Sequence, residues 1–421
     1  MEDIIEKAQK TLKQYNQKSV LKLFNNLDEE KKEILAKSIL DIDFEYITNV
    51  YKESMKKLEV DETGIEPKKA LVKANMTDEE KEVLYALGKK VIQSGEYAII
   101  TMAGGQGTRL NHKGPKGTFK LQTINGEKYI FEILCETLQR ANKKFGVEIP
   151  WYIMTSEDNN DETVKFFEDH KYFGCNPNSV HFFKQSKLPI LSEKGEVLVG
   201  EDYRVKQAAD GNGGMFSSLR RNGILDEFKE KGIKWAFSCG VDNILVNMAD
   251  PYLIGLALNN NCEIATKTVI KEYPQEKLGV VCKKNNRVKV IEYIELPTEM
   301  AEQTDENGEL LYGEAHIMFN LFSLKALEES ATYKMPYHVA HKKNNYLDEN
   351  GNLVEATEPN SYKFEAFIFD SFELFDDIAI LRGKREDEFS PIKNATGVDS
   401  PFTAVKMYND FWSRANSGDA L

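Results

Sequence analysis

A loop rich in glycine and followed by two basic side chains is the stretch of this sequence best suited to bind phosphate groups. An apolar, β-branched run at residues 97–102 predicts a buried strand, and the loop at residues 103–117 follows it directly. Backbone amides beside glycine can approach an anion because no Cβ lies in the way. Arg109 and Lys116 add fixed positive charge. Taken alone, the pattern fits an ordinary glycine turn with solvated charges equally well.

This loop differs from two common nucleotide-binding motifs. A P-loop needs Gly-Lys-Ser or Gly-Lys-Thr at the start of a helix, whereas Gly107 is followed here by Thr108 and Arg109. A dinucleotide-binding fingerprint needs a helix directly after its third glycine and an acidic residue about 20 residues further on. Here Gly-Pro-Lys-Gly at residues 114–117 prolongs the loop instead. Both motifs are therefore excluded.

Two later segments place polar groups where a nucleotide could meet them. Residues 209–214, Ala-Asp-Gly-Asn-Gly-Gly, precede a predicted helix, so their amides could receive an anion or a carbonyl group. Asp242 follows the predicted strand at residues 235–239, where its carboxylate could hold Mg²⁺ bridged to substrate phosphates. Taken alone, a tight turn explains the first segment equally well, and an Asx turn explains the second better.

The elements that must position these groups follow an alternating pattern from about residue 95, as in a mostly parallel sheet flanked by helices. The predicted strands are residues 97–102, 151–155, 180–184, 235–239 and 264–269, and the predicted helices are residues 129–145, 161–169, 214–222 and 251–259. In open α/β sheets ligands bind at the carboxyl ends of strands, which is where both the glycine loop and Asp242 lie.

Three regions are predicted along the chain. Residues 1–94 show apolar side chains at helical spacing and a capping box at residues 77–80, which predicts a helical N-terminal region. Residues 95–377 are predicted to form the catalytic domain, with a hairpin-rich insertion at residues 285–312 whose turn signals are Asn285-Asn286 and Asn307-Gly308. Residues 378–421 form a short, charged C-terminal region.

Composition excludes several classes of protein. The chain has 421 residues and a net charge of −13, from 68 acidic against 55 basic side chains, so nucleic acid is not an expected partner. Five dispersed cysteines suggest reduced thiols, and the N-terminus is too charged for a signal peptide. No apolar run approaches the roughly 18 residues of a membrane span. We therefore expect a cytoplasmic protein that binds neither nucleic acid nor membrane.

The combined motifs resemble the signature of the UDP-sugar pyrophosphorylases, nucleotidyltransferases that join a sugar 1-phosphate to UTP. Ala-Gly-Gly-x-Gly-Thr-Arg-Leu and Pro-Lys-Gly within residues 103–117 carry the resemblance, and further segments follow in the family's order over residues 95–415. Asp-Gly-Asn-Gly-Gly at residues 210–214 is similar to the UDP-N-acetylhexosamine branch in particular. Within the family, the chain is most similar to the eukaryotic type of UDP-N-acetylglucosamine pyrophosphorylase.

This resemblance implies a fold and a reaction. The fold is a Rossmann-like α/β fold with a mixed, mostly parallel sheet. The reaction is a Mg²⁺-dependent, in-line attack of N-acetylglucosamine 1-phosphate on the α-phosphorus of UTP, which yields UDP-N-acetylglucosamine and pyrophosphate. The given sequence ends at Leu421, soon after Lys393, so we expect it to lack most of the C-terminal sheet domain of longer family members. We expect a monomer.

The resemblance also implies roles for individual residues. Arg109 and Lys116 contact the triphosphate and leaving group, Lys393 contacts the sugar phosphate, and Asp242 holds the metal and contacts the nucleotide. The remaining residues form two groups, nucleotide-binding Ala103, Gly104, Gly105, Gln185, Asp210 and Gly211, and sugar-binding Asn212, Gly279, Glu292, Tyr293, His316 and Phe367.

Three departures from the family pattern affect this interpretation. Asn111 and Ala209 replace a glycine and a proline of the family. His316 replaces an asparagine that contacts the sugar, which could alter recognition of the 2-substituent.

Two rival functions remain open. The first is a UDP-glucose, UDP-GalNAc or broad-specificity UDP-sugar pyrophosphorylase. The second is a regulatory protein that binds nucleotide sugars without catalysis. We would expect such a protein to lack at least one of the four charged side chains to which the resemblance gives a role in the reaction. All four are present, namely Arg109, Lys116, Asp242 and Lys393. A zinc site at His338 and His341 is not expected, because no third ligand accompanies them.

Overall fold

The structure is a computed structural model that describes residues 2–56 and 64–417. Its α-helices are α1 (Glu2–Gln14), α2 (Lys18–Asn26), α3 (Glu29–Leu40), α4 (Phe44–Ser54), α5 (Asp78–Gln93), α6 (Ile130–Phe145), α7 (Asn160–Asp169), α8 (Gly214–Arg221), α9 (Ile224–Lys231), α10 (Pro251–Asn259), α11 (Thr298–Ala301), α12 (Leu324–Thr332), α13 (Arg385–Glu388) and α14 (Pro401–Ser417). Within these two described ranges, no helix has both the length and the apolar composition that crossing a bilayer requires.

The strands group into one large sheet and several small ones. They are β1 (Ile65–Pro67), β2 (Leu71–Val72), β3 (Tyr97–Met102), β4 (Lys120–Thr123), β5 (Gly126–Tyr129), β6 (Trp151–Thr155), β7 (Val180–Lys184), β8 (Lys187–Pro189), β9 (Leu191–Ser192), β10 (Gln207–Ala209), β11 (Trp235–Gly240), β12 (Ile264–Ile270), β13 (Val280–Lys284), β14 (Arg287–Ile291), β15 (Glu314–Ser323), β16 (His338–Lys342), β17 (Tyr346–Leu347), β18 (Leu353–Val354), β19 (Ser361–Glu365) and β20 (Ala379–Arg382).

The larger of two compact units contains the described residues of 64–185, 215–333 and 369–417. Its sheet has the strand order β2-β20-β12-β15-β11-β3-β6-β7. The pairs β11–β3, β3–β6, β6–β7, β12–β20 and β2–β20 are parallel, whereas β15 is antiparallel to both β11 and β12. Helices flank this sheet, so the predicted mixed, mostly parallel α/β fold is confirmed.

The strands predicted from apolar runs lie where the sequence placed them. Residues 97–102, 151–155 and 180–184 match β3, β6 and β7 without a shift. β3 and β6 are almost entirely buried, and this explains why continuous apolar runs marked them.

The sequence analysis missed several strands of this sheet, among them β1, β2, β15 and β20. β1 and β2 lie within the region predicted to be helical, and they pair with β13 and β20, far along the chain. β15 has a register shift against β12 between Lys267 and Thr268 and a left-handed residue, Met318, at φ 61°. Pairing with distant strands leaves no local signal, so periodicity could not find these elements.

The smaller unit contains the described residues of 2–56, 186–214 and 334–368. Helices α1–α4 confirm the predicted helical N-terminus. Their apolar faces share one core with side chains from the two later segments, such as Leu191, Val199 and Phe364. The proposed division of the chain at residues 94 and 377 stays a prediction.

Helices α5 and α10 pack with their backbones in direct contact. A Cβ on Gly88 would lie 1.9 Å from the carbonyl oxygen of Pro251, and a Cβ on Gly255 would lie 1.9 Å from that of Leu84. Glycine in the middle of a helix costs about 0.5–1 kcal/mol relative to alanine. Both glycines are nevertheless required here, because any side chain would force the helices apart.

The insertion at residues 285–312 contains both of the turns that its sequence predicted. Asn285 and Asn286, at φ 50° and 65°, connect the antiparallel strands β13 and β14. Paired positive φ values are typical of a tight two-residue hairpin turn. Gly308, at φ 79°, lies between Thr304 and Leu310, which form an antiparallel bridge.

Candidate active site

The glycine loop is held at the carboxyl end of β3 by hydrogen bonds from its own backbone. The Gly107 amide donates to the carbonyl of Gly114 at 2.9 Å, and the Lys116 amide donates to the carbonyl of Gly105 at 3.1 Å. A Cβ added to Gly105 would meet no atom within 4 Å, so this residue faces open space. The loop therefore presents exposed backbone in a fixed conformation, as anion binding requires.

Gln185 lies directly against the loop. A Cβ on Gly104 would be 2.5 Å from the Gln185 Nε2 atom, so the absence of a side chain at Gly104 creates the space that this amide fills. The Gln185 amide nitrogen of the backbone donates to the carbonyl of Thr155 at 2.8 Å, which fixes its position at the end of β7. Two residues predicted to bind the nucleotide are thus neighbours.

Asn159 supports the same loop and was missed from the sequence. This fully buried side chain donates from Nδ2 to the Ala103 carbonyl at 2.9 Å and accepts from the Ser156 amide at 2.8 Å. Buried amides of this kind are normally fully hydrogen-bonded and so fix the backbone around them. An asparagine just before a predicted helix indicates only a cap, so its role could not be inferred locally.

The three predicted cations belong to the larger unit and differ in their surroundings. Lys116 Nζ lies 3.5 Å from Asp242 Oδ2, and Lys393 Nζ lies 3.5 Å from Asp399 Oδ2. Arg109 is exposed, and within the described part of the chain its guanidinium has no hydrogen bond or ion pair. Arg109 is therefore available to an anionic ligand without first breaking an internal bond.

Asp242 is the carboxylate of this group and remains ionised at neutral pH. Burial favours its neutral form, but the charges of Lys116 and Lys393 outweigh burial and hold its pKa below the usual range. Its side chain is 30% exposed, so solvent and ligands can reach it. An ionised, reachable carboxylate is a suitable oxygen ligand for a divalent cation.

The residues present fit a metal that is bound mainly by substrate. Among residues 2–56 and 64–417, no three His, Cys, Asp or Glu side chains group together as a metal site. Mg²⁺ commonly uses one or two protein carboxylates and completes its shell with phosphate oxygens and water. Asp242 alone could supply the protein's part of such a site.

Four residues predicted to bind sugar lie together in the larger unit. The Gly279 carbonyl accepts from the His316 amide at 2.9 Å, and a Cβ on Gly279 would lie 3.2 Å from Glu292 Oε1. Tyr293 follows Glu292 and is 40% exposed.

The remaining predicted residues lie in the smaller unit, on two segments that hydrogen-bond to each other. The Ala366 amide donates to the Asp210 carbonyl at 2.7 Å, and Asn212 Oδ1 accepts from the Ile368 amide at 2.8 Å. Gly211 has φ +90°, and a Cβ there would lie 2.3 Å from the Ala366 carbonyl oxygen. This loop therefore requires glycine and places Asn212 beside the segment that contains Phe367.

The two histidines for which no zinc site was expected have other contacts. The His338 ring packs on Phe367 with centroids 4.4 Å apart. His341 Nε2 lies 3.0 Å from Glu193 Oε1.

His316 is buried among aromatic rings. It is 5% exposed, its Nε2 lies 2.8 Å from Asn320 Oδ1, and the Phe369 and Phe372 rings pack edge-on against it with centroids 5.6 and 5.9 Å away. Burial lowers the pKa of His316 to about 4, although the hydrogen bond to Asn320 acts in the opposite direction. The imidazole is therefore neutral at neutral pH.

Comparison with known proteins identifies the family of the chain. The family model described as UTP–glucose-1-phosphate uridylyltransferase matches residues 42–409. The chain belongs to this family. The predicted membership of the UDP-sugar pyrophosphorylases is thereby confirmed.

Similar family members carry names from the UDP-N-acetylhexosamine branch, which the segment at residues 210–214 indicated. The UDP-N-acetylglucosamine diphosphorylase 2 of Arabidopsis thaliana is 34% identical over an alignment of 415 residues that covers 93% of this chain and 81% of that protein. The UDP-N-acetylglucosamine pyrophosphorylase of Saccharomyces cerevisiae is 38% identical over an alignment of 336 residues, which covers 77% of this chain and 70% of that protein. The crystal structure of the uridine diphosphate N-acetylglucosamine pyrophosphorylase from Trypanosoma brucei is 29% identical, with a TM-score of 0.83 and coverage of 98% and 85%.

The burial of His316 predicts a loss of stability in acid. The pKa of His316 is about 4 in the folded protein, whereas an unperturbed histidine, as in the unfolded chain, has a pKa of 6.5. As pH falls through this interval, the unfolded chain therefore binds the extra proton first. The stabilisation by the neutral ring is complete above pH 6.5, and about 2 kcal/mol of it is lost between pH 7 and pH 5. Urea denaturation of the protein and of His316→Asn at both pH values measures this loss. The variant should lose about 2 kcal/mol less, and equal losses would contradict the prediction.

Proposed function

We propose that the protein is a uridylyltransferase that makes UDP-N-acetylglucosamine and pyrophosphate from UTP and N-acetylglucosamine 1-phosphate. The observation that carries the proposal is the grouping of Lys116, Asp242 and Lys393 beside an exposed glycine loop. Its family, and the names of relatives at 34–38% identity, support the same reaction.

The chemistry follows from the charges that must meet. The sugar phosphate is already an anion and can attack the α-phosphorus of UTP without a catalytic base. The barrier comes from repulsion between the two anions and from charge that develops on the departing pyrophosphate. Fixed positive groups that align the reactants and stabilise this charge therefore supply the catalysis.

The cations are divided between the two substrates in this scheme. Arg109 and Lys116 bind the triphosphate and stabilise the leaving pyrophosphate, and Lys393 binds the phosphate of the attacking sugar. Asp242 would hold Mg²⁺, which would supply neutralisation of charge on the phosphate oxygens. Lys116 Nζ lies 3.5 Å from Asp242 Oδ2, so these two side chains are already close together before substrate arrives.

Recognition of the uridine and of the sugar is assigned to the other predicted residues. Ala103, Gly104, Gly105, Gln185, Asp210 and Gly211 bind the nucleotide, and Asn212, Gly279, Glu292, Tyr293 and Phe367 bind the sugar. Since His316 is buried against two phenylalanines, we infer that it acts by supporting the sugar-binding segment around Gly279. The alternative is that the enzyme is a UDP-glucose, UDP-GalNAc or broad-specificity UDP-sugar pyrophosphorylase.

A panel of sugar phosphates tests the substrate. Pyrophosphate release is measured with UTP, Mg²⁺ and, in turn, the 1-phosphates of N-acetylglucosamine, N-acetylgalactosamine and glucose. We expect the highest kcat/KM with N-acetylglucosamine 1-phosphate and no release when EDTA removes the metal. A higher kcat/KM with glucose 1-phosphate would favour the alternative. Absence of release with all three sugars, in a folded protein that still binds UTP, would favour the regulatory function.

Replacement of the two lysines tests the electrostatic mechanism. Lys116→Ala and Lys393→Ala should each lower kcat by roughly 100-fold or more, the scale for loss of one preorganised charge contact. Lys113→Ala removes an exposed lysine from the same loop and should leave kcat near that of the unchanged protein. Near-normal turnover in either active-site variant, or an equal loss in Lys113→Ala, would refute the assigned roles.

We propose further that the enzyme is a cytoplasmic monomer, because one chain supplies every group with an assigned role and its five cysteines are free thiols. Light scattering after size exclusion should give a mass near 48.0 kDa, and cell fractionation should recover the protein with the cytosol. A mass twice as large, or recovery with membranes, would contradict this.

A further inference from the structure

Two segments far apart in the sequence bring Asp242 and Lys393 to the same place. The Ile392 amide donates to the Asp242 carbonyl at 2.9 Å, and the Ile244 amide donates to the Ser390 carbonyl at 3.3 Å. Both bonds join the segment after β11 to the segment after α13. The distance between the carboxylate and the lysine therefore depends on how firmly these two segments are joined.

The side chain of Asn243 makes three further hydrogen bonds at this junction. Its Nδ2 donates to the Glu388 carbonyl at 2.8 Å, and its Oδ1 accepts from the Ser390 amide at 2.9 Å and from the Leu245 amide at 3.2 Å. Asn243 is 4% exposed, so water does not compete for these bonds. One buried amide thus satisfies backbone groups on both segments.

Glu388 is itself fixed by a buried ion pair. Its Oε1 lies 2.7 Å from Lys267 Nζ, which is 1% exposed and also lies 2.6 Å from Asp250 Oδ2. A Cβ on Gly383 would lie 2.6 Å from the Glu388 Cγ atom, so the carboxylate side chain packs directly on the backbone there. The carbonyl that Asn243 binds therefore belongs to a residue that cannot easily move.

We propose that Asn243 is a positioning residue that sets the separation of Lys393 and Asp242 during uridylyl transfer. The inference rests on the proposed function. The junction needs one donor for a carbonyl and one acceptor for two amides, which an asparagine side chain supplies. Aspartate supplies only the acceptor, and alanine supplies neither. Displacement of a reacting group by about 1 Å can cost 100-fold in rate, so a loosened junction impairs catalysis without touching substrate.

The experiment compares kinetics with local hydrogen exchange. In Asn243→Ala and Asn243→Asp, we expect kcat to fall by about 10- to 100-fold, whereas the Kd of metal-free UTP changes by less than about 3-fold, because the bonds within the glycine loop do not involve Asn243. Deuterium uptake is measured in peptides from residues 385–399, where exchange should be faster in both variants. The glycine loop should exchange as before.

Leu84→Ala is the control for general loss of stability. Leu84 is 4% exposed in α5, so its truncation leaves a cavity and lowers the melting temperature. Assayed well below that temperature, it should keep an unchanged kcat and unchanged exchange in residues 385–399. An Asn243→Ala enzyme that behaves in the same way would overturn the proposal.

The proposal and the function fail in different ways. If the unchanged protein releases no pyrophosphate, the proposed function is wrong. In that case faster exchange of residues 385–399 in Asn243→Ala still supports the junction, and unchanged exchange refutes it. If the unchanged protein is active and the variant exchanges faster with a normal kcat, the junction exists but does not set the catalytic geometry, and the proposal is refuted.

Discussion

The balance of charge around Asp242 is the constraint on which this site depends. A chain with a net charge of −13 must attract polyanionic substrates through a local group of cations. Lys116 and Lys393 supply that local field and keep the Asp242 carboxyl ionised against burial. The same carboxylate lies 3.5 Å from Lys116 Nζ and so offsets part of the positive charge of the site before substrate binds.

The fold brings these groups together through the edge of a parallel sheet. β3 and β11 are adjacent and parallel, so the glycine loop and Asp242 leave the sheet side by side. Lys393 reaches the same edge from the end of the chain, because the backbone near Ser390 and Ile392 binds the backbone that follows β11. The groups of the candidate site therefore come from loops, and regular structure and buried polar side chains determine where those loops lie.

The sequence predicted features that are encoded locally and missed those that depend on distant partners. The strand at residues 151–155 was found because its apolar run is visible within a few residues. The turn at Asn285 was found because a pair of adjacent asparagines favours the left-handed conformation that the structure has there. The short strand β1 was missed because its partner, β13, lies more than 200 residues away. Asn159 and Asn243 were missed as supports because each acts on backbone groups, whose positions no sequence pattern displays.

The contacts that Gly88 and Gly255 each make with the backbone of the opposite helix limit how the chain can be recombined with its relatives. Each glycine faces the backbone of the opposite helix, so a methyl group on one helix cannot be accommodated by a smaller residue on the other. α5 and α10 must therefore be exchanged together, although about 160 residues separate them in the sequence. A chimaera that takes only one of these helices from a relative with a larger residue at its crossing point inherits the clash, and one that takes both does not.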